Sequence, residues 1–353
     1  MTWRRRLVLL LTLAMVGSSA LSCQSSEPSV EPAEIGMNLH FRGADAATIK
    51  RQFDLMAAMN VAWVRVDVDW SVIESERGQF DWTSVDMIVD EAAARGIDVL
   101  AVLVFSPAWA RSTTTADPAT ADPATANRSR PVPSEWATFA HVAAQRYAPL
   151  GVHSWEIWNE PNTSKFWPPR PDVNEYGSLF WVAADAIRGV DPEATLLIGG
   201  LSPKYDVPEA ELTPVDYLEA LYANGAAQRA DGVAAHPYTF PALPMDAQQR
   251  TVGGFPDLPA LHAVMERHGD GGKKIWITEF GAPTGTGPNA VSEDNQAASL
   301  VQAREQVADW DWAGPLMYYE LVDGGTDPAE IEQNFGVVRE DLSPKAAADA
   351  LMD

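Results

Sequence analysis

The chain of 353 residues holds a single cysteine, Cys23. No disulfide can form within one chain, so the fold must be held by its packed core. Basic residues are scarce, with 25 Lys and Arg against 49 Asp and Glu and a formal net charge of −24. A surface this acidic repels nucleic acid and anionic lipid, which argues against both as partners and leaves solubility as the plain use of the charge. Long apolar runs are missing except for one near the N-terminus. No Gly-x-Gly-x-x-Gly follows a candidate strand, which counts against a dinucleotide-binding open sheet. Neither His-Glu-x-x-His nor clustered Cys and His is present, so neither a metal nor another cofactor is expected. Gly-x-Ser-x-Gly is also absent, which leaves an acyl hydrolase unsupported. What the chain does have is 46% hydrophobic residues, ample for a large core.

The one apolar run, from Leu7 to Val16, follows Arg4, Arg5 and Arg6. Three arginines, an apolar stretch too short for a comfortable membrane span, and then small residues make an export signal over residues 1–22. The segment Ala20-Leu21-Ser22-Cys23 resembles a bacterial lipoprotein processing site, with Cys23 as the lipidated first mature residue; cleavage after Ala20 is the alternative. Either way the protein is expected to be exported, anchored to the outer face of a membrane through its lipid or otherwise secreted. Residues 23–33, rich in Ser, Glu and Pro, read as a tether, and 34–353 as one folded domain, expected to be monomeric.

From residue 34 onward, strand-like and helix-like patterns alternate. Candidate strands fall at 35–41, 63–70, 99–106, 153–160, 195–201, 232–240, 274–280 and 315–321. Amphipathic patterns lie between them, for example at 84–95, 135–147, 175–188, 216–224, 258–268 and 293–309. Alternation of this kind predicts a parallel sheet, and eight repeats suit an α/β (β/α)₈ TIM barrel in a single domain. The Ala-Asp-Pro-Ala-Thr repeat at 116–125 follows the third strand. In a barrel it would hang over the active-site face, as a lid or a tolerated insertion.

Two segments carry the chemistry. Trp155-Glu156-Ile157-Trp158-Asn159-Glu160-Pro161 and Trp276-Ile277-Thr278-Glu279-Phe280-Gly281 each end an apolar run on a glutamate, where a buried strand opens onto a loop. Glu160 and Glu279 stand 119 residues apart (279 minus 160), so only the fold can bring them together. Two carboxyl groups delivered this way suit glycoside cleavage, one donating a proton and the other attacking the sugar. In the second strand Val64, Val66 and Val68 alternate with Arg65, Asp67 and Asp69; three charged groups on an inner face are costly unless paired or wet. Asn38 and His40 on the first strand, and His236 and Tyr238 on the sixth, repeat the pattern. Glu156, Trp158 and Glu160 are in phase on the fourth, with Glu156 deeper, as a structural partner for Arg65.

Together these residues resemble the clan A glycoside hydrolases, the retaining (β/α)₈ superfamily, and are nearest in style to family 39. The resemblance covers nearly the whole exported domain. Trp-Asn-Glu-Pro at 158–161 is similar to the acid/base motif ending the fourth strand, and Thr-Glu-Phe-Gly at 278–281 to the nucleophile segment ending the seventh. Arg65 matches the second-strand arginine, and His236 with Tyr238 the sixth-strand pair. Asp81-Trp82 with Val85-Asp86 is similar to the start of the second helix. The eighth strand departs from the pattern: many clan members end it on tryptophan, whereas here it reads Leu316-Met317-Tyr318-Tyr319-Glu320-Leu321.

The resemblance implies a retaining O-glycosyl hydrolase acting on an extracellular or envelope poly- or oligosaccharide. Glu160 would be acid/base and Glu279 nucleophile, with Arg65, Asn159, His236 and Tyr238 in support. His40, Trp109, Trp167 and Tyr319 are candidates for sugar contacts, Tyr319 (or Tyr318) in place of the missing tryptophan. A transglycosylase would use the same residues, and a carbohydrate-binding lipoprotein on the same barrel is the alternative of a different class.

Overall fold

A computed structural model of the chain describes residues 33–112, 126–204, 212–246 and 251–352. Cys23, the export signal, most of the tether and the Ala-Asp-Pro-Ala-Thr repeat lie outside the described residues.

Eight parallel strands close into a barrel in chain order: β1 (Ile35–Leu39), β2 (Trp63–Asp69), β3 (Asp98–Val104), β4 (Ser154–Ile157), β5 (Thr195–Leu201), β6 (Gly232–Ala235), β7 (Lys274–Phe280) and β8 (Ala313–Tyr318). Around it run α1 (Ala46–Ala58), the single turn α2 (Trp70–Ile73), α3 (Thr83–Arg95), α4 (Pro133–Tyr147), α5 (Val173–Arg188), α6 (Pro214–Ala223), α7 (Leu258–Arg267), α8 (Glu293–Ala308) and α9 (Ala346–Met352). The expected TIM barrel is therefore present. Side chains dictate where the helices begin: Asp45, Asp172, Thr213 and Ser292 each accept a hydrogen bond from a backbone N–H in the first turn of α1, α5, α6 and α8.

The β2 alternation is realised. Val64, Val66 and Val68 are buried in the layer between barrel and helices, and Arg65 is buried inside the barrel. Deeper in the barrel, Leu100, Leu197, Ala234 and Met317 form a fully buried layer. Trp63 and Trp276 pack against that layer, their rings edge to face with centroids 4.9 Å apart. The charged groups of the interior lie toward the other, C-terminal end, where a TIM barrel carries its active site.

Several strands stop sooner than the sequence pattern implied, and the fourth is the one that matters. The alternation placed Glu156, Trp158 and Glu160 in phase. In the structure β4 ends at Ile157, and Trp158 and Glu160 have φ of 69° and 42°. Left-handed backbone at two non-glycine residues breaks the alternation. The turn sends Trp158 into the helix layer, against Trp136 and Trp167, and swings Glu160 to the mouth.

Candidate active site

Arg65 organises the centre. Its guanidinium is 3% exposed and carries five N–H donors, all of them used. Nε and Nη2 bond Glu156 Oε2 and Oε1 at 3.0 and 2.9 Å, Nη1 bonds Asn38 Oδ1 at 2.8 Å and Glu279 Oε1 at 2.6 Å, and Nη2 bonds Asn159 Oδ1 at 2.8 Å. Glu156 is fully buried and also accepts from Gly200 N at 2.9 Å. The structural reading of Glu156 is what the geometry gives: it fixes Arg65, which in turn fixes Glu279. Burial works against the Arg65 charge, but Glu156 and Glu279 more than restore it, and the group is held protonated.

Glu279, at the end of β7, has both oxygens occupied. Arg65 takes Oε1, and the Tyr238 hydroxyl donates to Oε2 at 2.8 Å. Burial alone would push the carboxyl up; the charges of His236 and Arg65 and the Tyr238 bond outweigh it and hold the group below the usual carboxylate range. Burial and the nearby Glu279 charge keep Tyr238 well above its ordinary pKa, so it remains a donor.

His236 lies between the two glutamates, fully buried just past the end of β6. Its Nδ1 is 3.1 Å from Glu160 Oε1 and 3.4 Å from Glu279 Oε2, while Nε2 meets the Thr278 hydroxyl at 3.1 Å. The ring fits only because β5 offers glycine beside it. A Cβ built on Gly200 would come 1.9 Å from His236 Nε2. Glu160, His236 and Glu279 each present one atom within 4.8 Å of the other two; among the described residues they form the one such triplet of metal-capable side chains. The triplet holds one imidazole and two carboxylates already committed to Arg65, Tyr238 and His236. Its geometry is that of two carboxyl groups flanking a common point.

That point opens into a cavity of about 800 Å³. Asp67, His40, Asn159, Tyr319, Glu160 and Glu279 line it, and of these all but Asp67 are residues that the sequence named for the site. His40 faces Glu320 across 3.3 Å and meets Tyr319 edge to face at 5.6 Å. Trp109 and Trp167 do not line the cavity. Trp167, 1% exposed, is wedged between Trp158 and Tyr176 in the helix layer. Trp109 packs on Trp70 and donates its indole N–H to Glu74 O at 2.9 Å. Phe105, Phe166, Phe240 and Phe335 supply the aromatic walls instead. Two of these were within reach of the sequence: Phe105 ends the third candidate strand, and Phe240 is in phase with His236 and Tyr238 on the sixth. Phe166 rather than its neighbour Trp167, and Phe335 in the loop after β8, depend on loop geometry that periodicity does not encode.

Residues 24–314 match the family described as Cellulase (glycosyl hydrolase family 5). The chain belongs to this family. Family 5 lies within clan A, whose members are retaining enzymes, so the clan expected from the two glutamate motifs is borne out. The solved structures that resemble this cellulase-family barrel include a family 39 glycoside hydrolase from the gut symbiont Bacteroides cellulosilyticus WH2, with a TM-score of 0.70 at 22% identity over 92% of this chain and 63% of that one. A monomeric beta-xylosidase from Caulobacter crescentus CB15 gives 0.66 at 19% identity, over 91% and 68% of the two chains. The GH5_18 protein from Streptomyces cattleya, solved with GlcNAc, gives 0.65 at 20% identity, over 91% and 79%. At these identities the likeness is one of fold, and this chain spans under two thirds of the length of the first. Comparison with curated proteins gives no sequence match.

Proposed function

We propose that this family 5 barrel is a retaining glycoside hydrolase working by double displacement, with Glu279 as nucleophile and Glu160 as acid/base. The observation that carries the reading is the approach of the two carboxyl groups to within 4.8 Å, atom to atom, about the same imidazole. Retaining enzymes place their carboxyl groups about 5–5.5 Å apart, and inverting ones leave room for a water between. Glu279 is the better nucleophile because Arg65 and Tyr238 favour its charged form. Glu160 meets the His236 ring at 3.1 Å but, among the described residues, no arginine, lysine or tyrosine bonds it, and it sits where it can give a proton to the leaving oxygen. In the first step the Glu279 carboxylate attacks the anomeric carbon as Glu160 protonates the departing oxygen. In the second, Glu160 takes a proton from water, which attacks the same carbon and frees Glu279. Asn159 spends its carbonyl oxygen on Arg65, which leaves its amide N–H groups for a sugar hydroxyl.

The substrate in this reading is an extracellular or envelope poly- or oligosaccharide, since the N-terminal segment resembles an export signal and Cys23 a lipidation site. The test is hydrolysis of aryl glycosides and glycans by the domain beginning near Glu34, beside its Glu279→Gln variant. Turnover should vanish in the variant while thermal stability stays close to wild type, and the first-formed product should keep its anomeric configuration by NMR. Full activity in the variant, or inversion, sinks the assignment.

A further inference from the structure

Two carboxylates in the cavity have no part in the arrangement above: Glu332, which faces Lys165 across 3.7 Å, and Asp67. Asp67 follows Arg65 by two residues on β2 and so faces the same interior. It lines the cavity with His40, Glu160 and Glu279. Among the described residues no donor lies within hydrogen-bond distance of it, and no cation lies within 4.0 Å. The two natural candidates are already committed. Arg65 has spent all five of its N–H groups on Glu156, Asn38, Glu279 and Asn159, and His40 turns its Nδ1 toward Glu320. Asp69, on the same strand face, is pushed up to about 6 by burial, with the Asp67 charge adding to the shift against its bonds to Ser71.

A carboxylate that is half-buried, unpaired and turned into a reaction cavity is an acceptor without a donor. It has about four lone-pair sites, accepts only, and repels other anions. Neighbouring sugar hydroxyls are neutral donors spaced to meet its two oxygens. We propose that Asp67 is a specificity-determining residue: it accepts hydrogen bonds from one or two ring hydroxyls of the sugar held on Glu279, and so selects a neutral sugar with those hydroxyls free over one bearing a carboxylate, sulfate or acyl group there. The proposal rests on the glycoside-hydrolase reading for its setting and deepens it by naming the class of sugar. Asp67 acts on binding and need not touch the anomeric carbon.

The experiment is a coupling measurement. Wild type, Asp67→Asn and Asp67→Ala are assayed on the 4-nitrophenyl glycosides of glucose, xylose, mannose and galactose, and on monodeoxy analogues of whichever of these is cleaved best. Hydrogen bonds to a charged acceptor predict that Asp67→Ala lowers kcat/KM about 10- to 100-fold on the full glycoside but less than about 3-fold on the analogue lacking the hydroxyl Asp67 holds. An equal loss on every analogue, or none at all, overturns the proposal. Calorimetry with the same glycosides on the Glu279→Gln protein, with and without Asp67→Ala, reads the coupling as Kd. Binding that depends on Asp67 while Glu279→Gln still turns over would overturn the catalytic assignment and support this one. Turnover abolished by Glu279→Gln, with Asp67 indifferent to every hydroxyl, would overturn this one and support the other.

Discussion

At the scale of single residues, the site divides its labour by what each group is allowed to be. Glu279 is held charged by His236, Arg65 and the Tyr238 bond, and Tyr238 is held neutral by burial and by the charge it donates to. Tyr238→Phe removes the Oε2 bond, so the Glu279 pKa should rise toward the ordinary carboxylate value. If Glu279 is the nucleophile proposed, it must be ionised to attack, so the acidic limb of the kcat/KM profile should move to higher pH, and kcat/KM at its optimum should fall about 10- to 100-fold. A pH–rate profile of the two proteins checks this; an unmoved acidic limb contradicts it. The linkage runs the same way for stability. A carboxyl depressed on folding contributes above its unfolded pKa, and that contribution fades as pH falls through the folded one. Much of this was legible in the chain. Arg65, Glu156 and Glu279 could be found because each sits on a strand whose alternation fixes which way it faces, and Glu160, His236 and Tyr238 because each follows such a strand within three residues. Trp109 and Trp167 could not be told from Phe105 and Phe166, because aromatic rings in loops look alike in composition and only the loop path says which one meets the cavity.

At the scale of elements, the glycines of β5 shape the site as much as the glutamates do. Gly200 lends its N–H to Glu156 and leaves the space that His236 fills. Gly200→Ala should force the imidazole away from Glu160, costing about 1–3 kcal/mol of stability and most of kcat. Thermal unfolding and steady-state rates measured together check both parts; an active, stable Gly200→Ala protein would show that the ring can shift harmlessly. The eight strands and their order were readable because apolar runs recur at barrel spacing. Their C-terminal limits were readable for β5 and β7, which end at Leu201 and Phe280 as the pattern gave, but not for all. Periodicity carried β4 through Glu160 and β6 through Phe240, whereas the structure ends them at Ile157 and Ala235. The strand ends are where tertiary contacts override local preference, since the chain must leave the ladder there to aim side chains at the mouth.

At the scale of the molecule, the wall of the cavity formed after β8 is tied down from behind. Lys345, 2% exposed, donates to Asp323 Oδ1 at 2.7 Å, to the Thr284 hydroxyl at 2.9 Å and to Asn334 O at 3.3 Å. Asp323 also accepts from Gly336 N, one residue from the cavity-lining Phe335. Burial lowers the Lys345 pKa and raises that of Asp323, as expected of a pair taken out of water. Lys345→Met should leave Asp323 without its cation and cost about 3–5 kcal/mol. Denaturant unfolding reads the loss, and a Lys345→Met/Asp323→Leu double variant should recover much of it; a Lys345→Met protein as stable as wild type would show that the pair does not hold the wall. Nothing in the sequence pointed to this pair, because its members lie in irregular segments without a period to read.

The aromatic pair at the far end of the barrel has a consequence for traffic. With Trp63 and Trp276 packed beneath a fully buried apolar layer of Leu100, Leu197, Ala234 and Met317, the described residues leave the mouth of the barrel as both entrance and exit. In the proposed mechanism the two halves of a cut sugar chain could not part in opposite directions along the axis. The half beside Glu160 would have to clear first, and whatever stepped into its place would find the other half still waiting on Glu279. Water would win that place only by being abundant, and a crowd of sugar ends at the mouth would compete with it for the same seat.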